Sequence, residues 1–180
     1  MTEKRYRAAI IGLGYIGAAD QVSGDALGQF VKDLDGTHLE AYTKLPRIDL
    51  VAGSSRDVGR RERFAARTGA RTYADWQELL TQEKPEIVSV ATYAPQHAEI
   101  TVACAEAGVR VIYCEKPIAT ALADAERMVQ ACQAAGALLV INHTNFLDAP
   151  ITYVHAMPRP VRPVAKVETW DNPLIGGMFT

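Results

Sequence analysis

The sequence predicts an α/β protein built on a Rossmann-type, doubly wound parallel sheet. Short apolar segments alternate with helical segments along the chain, and the first apolar segment leads into a glycine-rich turn. Apolar runs without period-two alternation are typical of strands that are covered on both faces, as in parallel sheets. Strands and helices in alternation predict βαβ units with right-handed crossovers.

The same pattern gives the positions of the elements. Strands are predicted at Ala8–Ile11, Ile48–Ala52, Ile87–Ala91, Val109–Tyr113 and Leu138–Ile141. Helices are predicted at His38–Leu45, Val58–Thr68, Asp75–Thr81, Gln96–Ala107 and Ala121–Ala135. Three of these helices run into a glycine, which adopts the left-handed conformation that ends a helix.

Two regions depart from the alternation. Residues 18–37 are polar and glycine-containing, which indicates an insertion in the first crossover. Residues 148–180 form a proline-rich tail, in which Val164–Trp170 is the candidate for one further strand. We therefore predict one domain over residues 1–147, followed by the tail at 148–180.

The composition restricts the classes of binding partner and the cellular compartment that we expect for this protein. Nineteen basic and twenty-one acidic residues give a net charge of −2, which favours neither nucleic acid nor a membrane surface. No apolar run is long enough to span a bilayer, and no signal-peptide pattern follows Met1. The three cysteines lack metal-ligand spacing, so we expect reduced thiols, no metal site and a cytoplasmic protein.

The first predicted strand runs into a G-x-G-x-x-G motif at residues 12–17. In dinucleotide-binding domains Gly12 would permit the tight turn, Gly14 the close approach of a pyrophosphate, and Gly17 the packing of helix on strand. Tyr15 and Ile16 would open a helix whose free N–H groups and dipole attract the anion. The alternatives are a turn needed only for packing and a loop that binds S-adenosylmethionine.

The second strand ends on Ser54, Ser55 and Arg56, where NAD-binding domains carry an acid for the adenosine ribose. Two hydroxyls and a guanidinium bind a 2′-phosphate through charge-assisted hydrogen bonds. The pattern therefore favours NADP over NAD as the cofactor. The alternative is a solvent-exposed Arg56 at the start of a surface helix.

The third predicted strand also ends on candidate site residues. Ligands of parallel sheets bind outside the carboxyl ends of the strands, so Ala91, Thr92 and Pro95 are predicted to line a cofactor cleft. His97 is a candidate catalytic residue that would hydrogen-bond a substrate hydroxyl. The alternative is a histidine that faces solvent in the first helical turn.

The fourth predicted strand leads into Glu115, Lys116 and Pro117, which are predicted to line the cofactor cleft as well. Proline fixes φ, and a cis bond before it would direct the lysine side chain. Lys116 is a candidate catalytic residue, because a lysine beside a cleft donates to a substrate alkoxide or acts as an acid or base. The alternative is a surface ion pair of little energetic weight.

These motifs together resemble the N-terminal domain of the Gfo/Idh/MocA oxidoreductase family. The resemblance covers residues 5–145 and includes the glycine loop, A-P-Q-H at 94–97 and the more specific E-K-P at 115–117. It implies a Rossmann domain that binds NADP or NAD and a hydride transfer to or from a sugar or polyol hydroxyl. It also implies that Lys116 lies near the nicotinamide, with Asn142 and His143 lining the same cleft.

The sequence departs from this family at its end. Family members carry a second α/β domain with a catalytic Asp and His, whereas only about 35 residues follow Asn145. The tail is therefore interpreted as a remnant of a largely missing second domain. The alternative function is a non-catalytic dinucleotide-binding module, or a subunit completed by a partner. We expect a homo-oligomer or a complex with another chain, because an uncovered face favours association.

Overall fold

A computed structural model describes residues 4–22 and 36–142 of the chain. The described strands are β1 Tyr6–Ile11, β2 Ile48–Ser54, β3 Arg71–Tyr73, β4 Ile87–Val90, β5 Val111–Glu115 and β6 Leu138–Asn142. All pair in parallel in one sheet of order β3-β2-β1-β4-β5-β6. The predicted Rossmann-type parallel sheet is confirmed, since this is the strand order of that fold.

The helices follow the strands as predicted. They are α1 Tyr15–Ala18, α2 His38–Lys44, α3 Val58–Thr68, α4 Trp76–Glu83, α5 His97–Glu106 and α6 Leu122–Ala135. Helix α3 has the predicted ends, because the Asp57 side chain caps its first turn and Gly69 ends it in the left-handed conformation. A short 3-10 turn at Ala94–Gln96 precedes α5.

Two strand predictions need correction. Strand β3 was not predicted, because its Arg-Thr-Tyr sequence contains no apolar run, yet it pairs with β2 from Arg71 to Tyr73. Strand β5 begins and ends two residues later than predicted. Glu115 is therefore the last residue of a strand, and its direction is fixed by the sheet.

Both faces of the sheet are covered, and β1 shows how. Ala8 and Ile10 belong to a core cluster with α1, α2 and α3. Ala9 and Ile11 belong to the cluster on the other face, with α4, α5 and α6. Successive strand side chains point to opposite faces, so a strand between two helical layers is apolar throughout.

The strand register brings the predicted site residues to one edge. Ile11 at the end of β1 pairs with Ser54 of β2 and with Val90 of β4. Glu115 at the end of β5 pairs with Asn142 of β6. The glycine loop leaves β1 between β2 and β4, where the strand order reverses and parallel sheets bind ligands.

Several predictions fall on other parts of the chain. His143, the strand at Val164–Trp170 and the tail at 148–180 lie outside the described residues. Most of the predicted insertion, residues 23–35, lies outside them as well. Within the two described stretches, no helix combines the length and the apolar character needed to cross a membrane.

Candidate functional site

The glycine loop is packed too closely for side chains at two of its positions. Gly12 has φ of +103°, and a Cβ there would lie 2.4 Å from the carbonyl oxygen of Ala91. A Cβ on Gly17 would lie 1.9 Å from the carbonyl oxygen of Gly12. Backbone atoms cannot move aside as a flexible side chain can, so both positions require glycine.

Helix α1 begins in the glycine loop but has only one turn. Gly14 is its extended N-cap, and Ala19 ends it in the left-handed conformation at φ of 52°. The next residue, Asp20, is buried and accepts hydrogen bonds from Nε and Nη2 of Arg63, both at 2.8 Å. This ion pair fixes the end of the loop to α3.

Two buried polar atoms beside the loop lack a partner among the described residues. They are the hydroxyl oxygens of Tyr15, which is 6% exposed, and of Thr92. Buried polar atoms are normally hydrogen-bonded, so a polar ligand at these atoms would satisfy them. With the bare backbone at Gly12, they fit a bound dinucleotide. Ile16 is 42% exposed at the same edge.

A rigid turn follows β2. Arg61 Nη1 donates to the carbonyl oxygens of Ser55 at 2.6 Å and of Arg56 at 3.0 Å. Ser55 Oγ accepts from the backbone N–H of Asp57 at 3.2 Å, and Ser54 is buried. The Arg56 side chain is exposed, and its guanidinium has no partner in the described part of the chain.

The end of β4 is joined to both neighbouring strands. The Ala91 N–H donates to the Ile11 carbonyl at 2.8 Å. Pro95 lies within the 3-10 turn, and His97 begins α5 fully buried. Nε2 of His97 lies 2.9 Å from the Thr92 carbonyl oxygen, and Nδ1 lies 2.9 Å from that of Pro117.

These contacts occupy both nitrogen atoms of the His97 ring. The solvent-facing alternative is wrong, because the ring is buried. Both nitrogens are occupied by backbone carbonyls that join the ends of β4 and β5. Its catalytic role stays a prediction, and the observed contacts are those of a group that holds the backbone.

Lys116 and Glu115 point to different environments. Lys116 is exposed, and its ammonium has no partner among residues 4–22 and 36–142. The peptide bond between Lys116 and Pro117 is cis. Glu115 is buried and pairs with His38, so the alternative of a surface Glu-Lys ion pair is not what the structure contains.

A chain of hydrogen bonds joins α2 to β4 and β5 beneath this turn. Tyr42 Oη lies 2.7 Å from Ser89 Oγ, which lies 2.8 Å from Nδ1 of His38. Nε2 of His38 lies 2.9 Å from Glu115 Oε1. Burial raises the pKa of Tyr42 to about 12, so its phenol keeps its proton. We call His38, Tyr42, Ser89 and Glu115 the α2 network.

Glu115 receives two further hydrogen bonds. Asn142 Nδ2 donates to its Oε1, and the Lys116 backbone N–H donates to its Oε2 at 3.2 Å. Tyr113 Oη in turn donates to Asn142 Oδ1 at 2.6 Å. Burial, the largest influence, raises the pKa of Glu115, but the hydrogen bonds from His38, Asn142 and Lys116 together hold it below its usual value.

Sequence analysis missed four members of this arrangement: His38, Tyr42, Ser89 and Tyr113. A signal existed for each, because His38 and Tyr42 are four residues apart and share a helix face. Ser89 interrupts an otherwise apolar strand, and Tyr113 is two residues from Glu115 on the same face of β5.

The three cysteines are buried thiols without the environment of a reactive cysteine. Cys104, Cys114 and Cys132 are buried and unpaired, and burial raises the pKa of Cys114 to about 12. Among the described residues, no three His, Cys, Asp or Glu side chains group together as metal ligands would.

Comparison with known proteins assigns the chain to a family. The model of the GFO_IDH_MocA family, described as an oxidoreductase family with an NAD-binding Rossmann fold, matches residues 6–143. The chain belongs to the Gfo/Idh/MocA family. The resemblance predicted from the glycine loop and the E-K-P motif is thereby confirmed.

Individual relatives within the Gfo/Idh/MocA family are similar over most of this chain. D-apiose dehydrogenase of Paraburkholderia graminis is 33% identical over 162 residues, which are 89% of this chain and 37% of that protein. Inositol 2-dehydrogenase 3 of Saccharopolyspora erythraea is 31% identical over 74% of this chain and 34% of its own length.

A solved structure from the family is also similar. The WlbA dehydrogenase of Bordetella pertussis, solved with NADH and UDP-GlcNAcA, has a TM-score of 0.63 and 26% identity. The match covers 84% of this chain and 39% of that one. The chain thus spans little more than a third of the length of these relatives.

Proposed function

We propose that this chain is the nucleotide-binding part of an NAD(P)-dependent oxidoreductase that transfers hydride to or from a sugar or polyol hydroxyl. The observation that carries the proposal is the juxtaposition at the carboxyl edge of the sheet. There, the glycine loop after β1, with the hydroxyls of Tyr15 and Thr92 that lack a partner among the described residues, shares one sheet edge with the exposed Lys116, which follows β5 two strands away.

Each residue has a definite part in this proposal. The backbone N–H groups after Gly12 and Gly14 bind the diphosphate, because no side chain stands between them and the ligand. The nicotinamide supplies or accepts the hydride. As an alcohol forms, the Lys116 ammonium would donate a proton to the reacting oxygen; as an alcohol is oxidised, the unprotonated Lys116 amine would accept the hydroxyl proton. Asn142, Glu115 and Pro117 line that end of the cleft.

Titration of the chain with NADH and NADPH, followed by fluorescence, tests the binding step. We expect saturable binding of at least one dinucleotide. Lys116→Ala is expected to abolish turnover of any polyol that the wild-type chain oxidises, whereas Lys4→Ala at the opposite sheet edge preserves it. Absence of binding to both dinucleotides overturns the proposal, and binding without turnover favours the alternative of a non-catalytic module.

We further propose a preference for NADP, on the basis of the second strand end. Ser54 and Ser55 stand where an acid would repel a 2′-phosphate, and the Arg56 guanidinium is available to bind one. Arg56→Ala is expected to weaken NADPH binding about tenfold or more, the effect of losing a hydrogen bond to a charged group. NADH binding should change little, and Arg110→Ala, at the amino edge, is the matched control. Equal affinities of the wild type for both dinucleotides overturn the preference.

A further prediction from the sequence concerns the association of this chain with other chains. Association with a second copy or with another chain stays a prediction, which light scattering at several concentrations tests. A monomer at the highest concentration contradicts it.

A further inference from the structure

The α2 network has one consistent arrangement of protons around an ionised Glu115. A carboxylate only accepts, so Nε2 of His38 donates to Glu115. In the neutral ring, Nδ1 then accepts from the hydroxyl of Ser89, whose oxygen accepts from Tyr42. Every donor therefore meets an acceptor without a second proton on the ring.

The network ends directly under the candidate catalytic lysine. Glu115 Oε1 is held by His38, and Glu115 Oε2 accepts the backbone N–H of Lys116 at 3.2 Å. The carboxylate thus connects a helix that carries none of the predicted site residues to the backbone from which the Lys116 ammonium extends.

Stability alone does not explain this arrangement. Replacement of buried ionic groups by apolar side chains of similar size is often neutral or stabilising. A carboxylate supplied with donors from α2, β6 and its own backbone is instead what is needed to hold one peptide unit in one orientation.

We propose that His38 is a positioning residue for Lys116, acting through Glu115. The role of Lys116 itself rests on the proposed function. His38 touches neither the reacting atoms nor the dinucleotide; it orients Glu115, which fixes the Lys116 backbone and so the direction of the ammonium at the cleft.

Three variants separate positioning from simple destabilisation. His38→Leu removes both hydrogen bonds of the ring. His38→Gln keeps an amide N–H₂ group for Glu115 and a carbonyl oxygen for Ser89, so it is expected to restore function in part. Leu79→Ala, in the core of α4, lowers stability away from the cleft and serves as the matched control.

The first readout needs no cofactor. Reductive ¹³C-methylation of the full chain keeps the lysine charges, and the signal of Lys116 is identified by its loss in Lys116→Ala. We expect His38→Leu to shift that signal and its pH titration, and His38→Gln and Leu79→Ala to leave both close to wild type. An unchanged Lys116 signal in His38→Leu overturns the proposal, and so does an equal shift in Leu79→Ala.

The second readout compares the binding affinities of a whole ligand and of one half of it. The intact dinucleotide is compared with its adenosine diphosphate half, which does not reach Lys116. Because Lys116 is predicted to lie near the nicotinamide, His38→Leu is expected to weaken binding of the intact dinucleotide and to leave binding of the half-ligand unchanged. Equal weakening of both ligands overturns the proposal. Failure of the wild type to bind either ligand overturns the proposed function, and the lysine signal then decides the role of His38 by itself.

Discussion

Two buried histidines hold the same turn from opposite sides, and their partners differ. His38 joins a hydroxyl, which both donates and accepts, to a carboxylate. His97 joins two backbone carbonyls, which only accept. A neutral ring satisfies both partners of His38, whereas both partners of His97 are carbonyl oxygens of the main chain. The comparison teaches that equal burial does not give equal chemistry: His38 is tied to a charge, and His97 to the backbone.

The largest loss of stability is expected when His38, the histidine that contacts a carboxylate, is replaced. His38→Leu should lower the free energy of unfolding by about 3 kcal/mol, because it removes a hydrogen bond to a buried carboxylate and also leaves the Ser89 hydroxyl without its acceptor. Urea denaturation at neutral pH measures it. His38→Gln should recover most of the loss, and a loss well below about 1 kcal/mol for His38→Leu contradicts the prediction.

The corresponding change on the backbone side should be smaller. His97→Leu leaves the carbonyls of Thr92 and Pro117 unpaired, which costs about 2 kcal/mol. The same denaturation experiment gives the ranking. A greater loss for His97→Leu than for His38→Leu would reverse the distinction between the two histidines.

The pH dependence of stability gives a further test of the charged partner of His38. The folded-state pKa of Glu115 is lowered, so its stabilising contribution is complete above the unfolded-state pKa of about 4.3. That contribution is lost as pH falls through the lower folded-state pKa. The stability difference between wild type and Glu115→Gln should therefore narrow as the solution is acidified from neutral pH. A difference that stays constant or widens over that range contradicts the assignment.

The smallest effect is expected at the far end of the network. Tyr42→Phe should cost about 1 kcal/mol, the net value of one neutral hydrogen bond, because the Tyr42 hydroxyl contacts the network only at Ser89. Its effect should be non-additive with His38→Gln and additive with His97→Gln, since Ser89 links Tyr42 to the His38 ring alone. A double-mutant cycle by urea denaturation checks this, and equal coupling to both histidines argues against separate networks.

The sequence predicted the fold well because its signals are local. Each of these signals specifies the conformation of only a few neighbouring residues. They are the glycine loop, the apolar strands and the helix caps Asp57 and Gly69. Strand β3 escaped prediction because a three-residue edge strand needs no apolar run. Site residues could be proposed from the sequence only where a motif carries them, as at Gly12 and Lys116.

What escaped prediction depends on distance along the chain. His38 meets Ser89 across 51 positions and Glu115 across 77. Such pairings are decided by where α2 docks on the sheet, which no local pattern specifies. The burial of His97 was missed for the same reason, because its second carbonyl belongs to Pro117, 20 residues away.

The anchoring of the chain on both sides of residues 23–35 has a practical consequence. Asp20 is fastened to Arg63 before this segment, and Thr37 caps α2 after it, next to His38. Substitutions of Arg63 and of Thr37 are therefore expected to loosen the end of the glycine loop and the start of α2, respectively, while sparing the lysine turn.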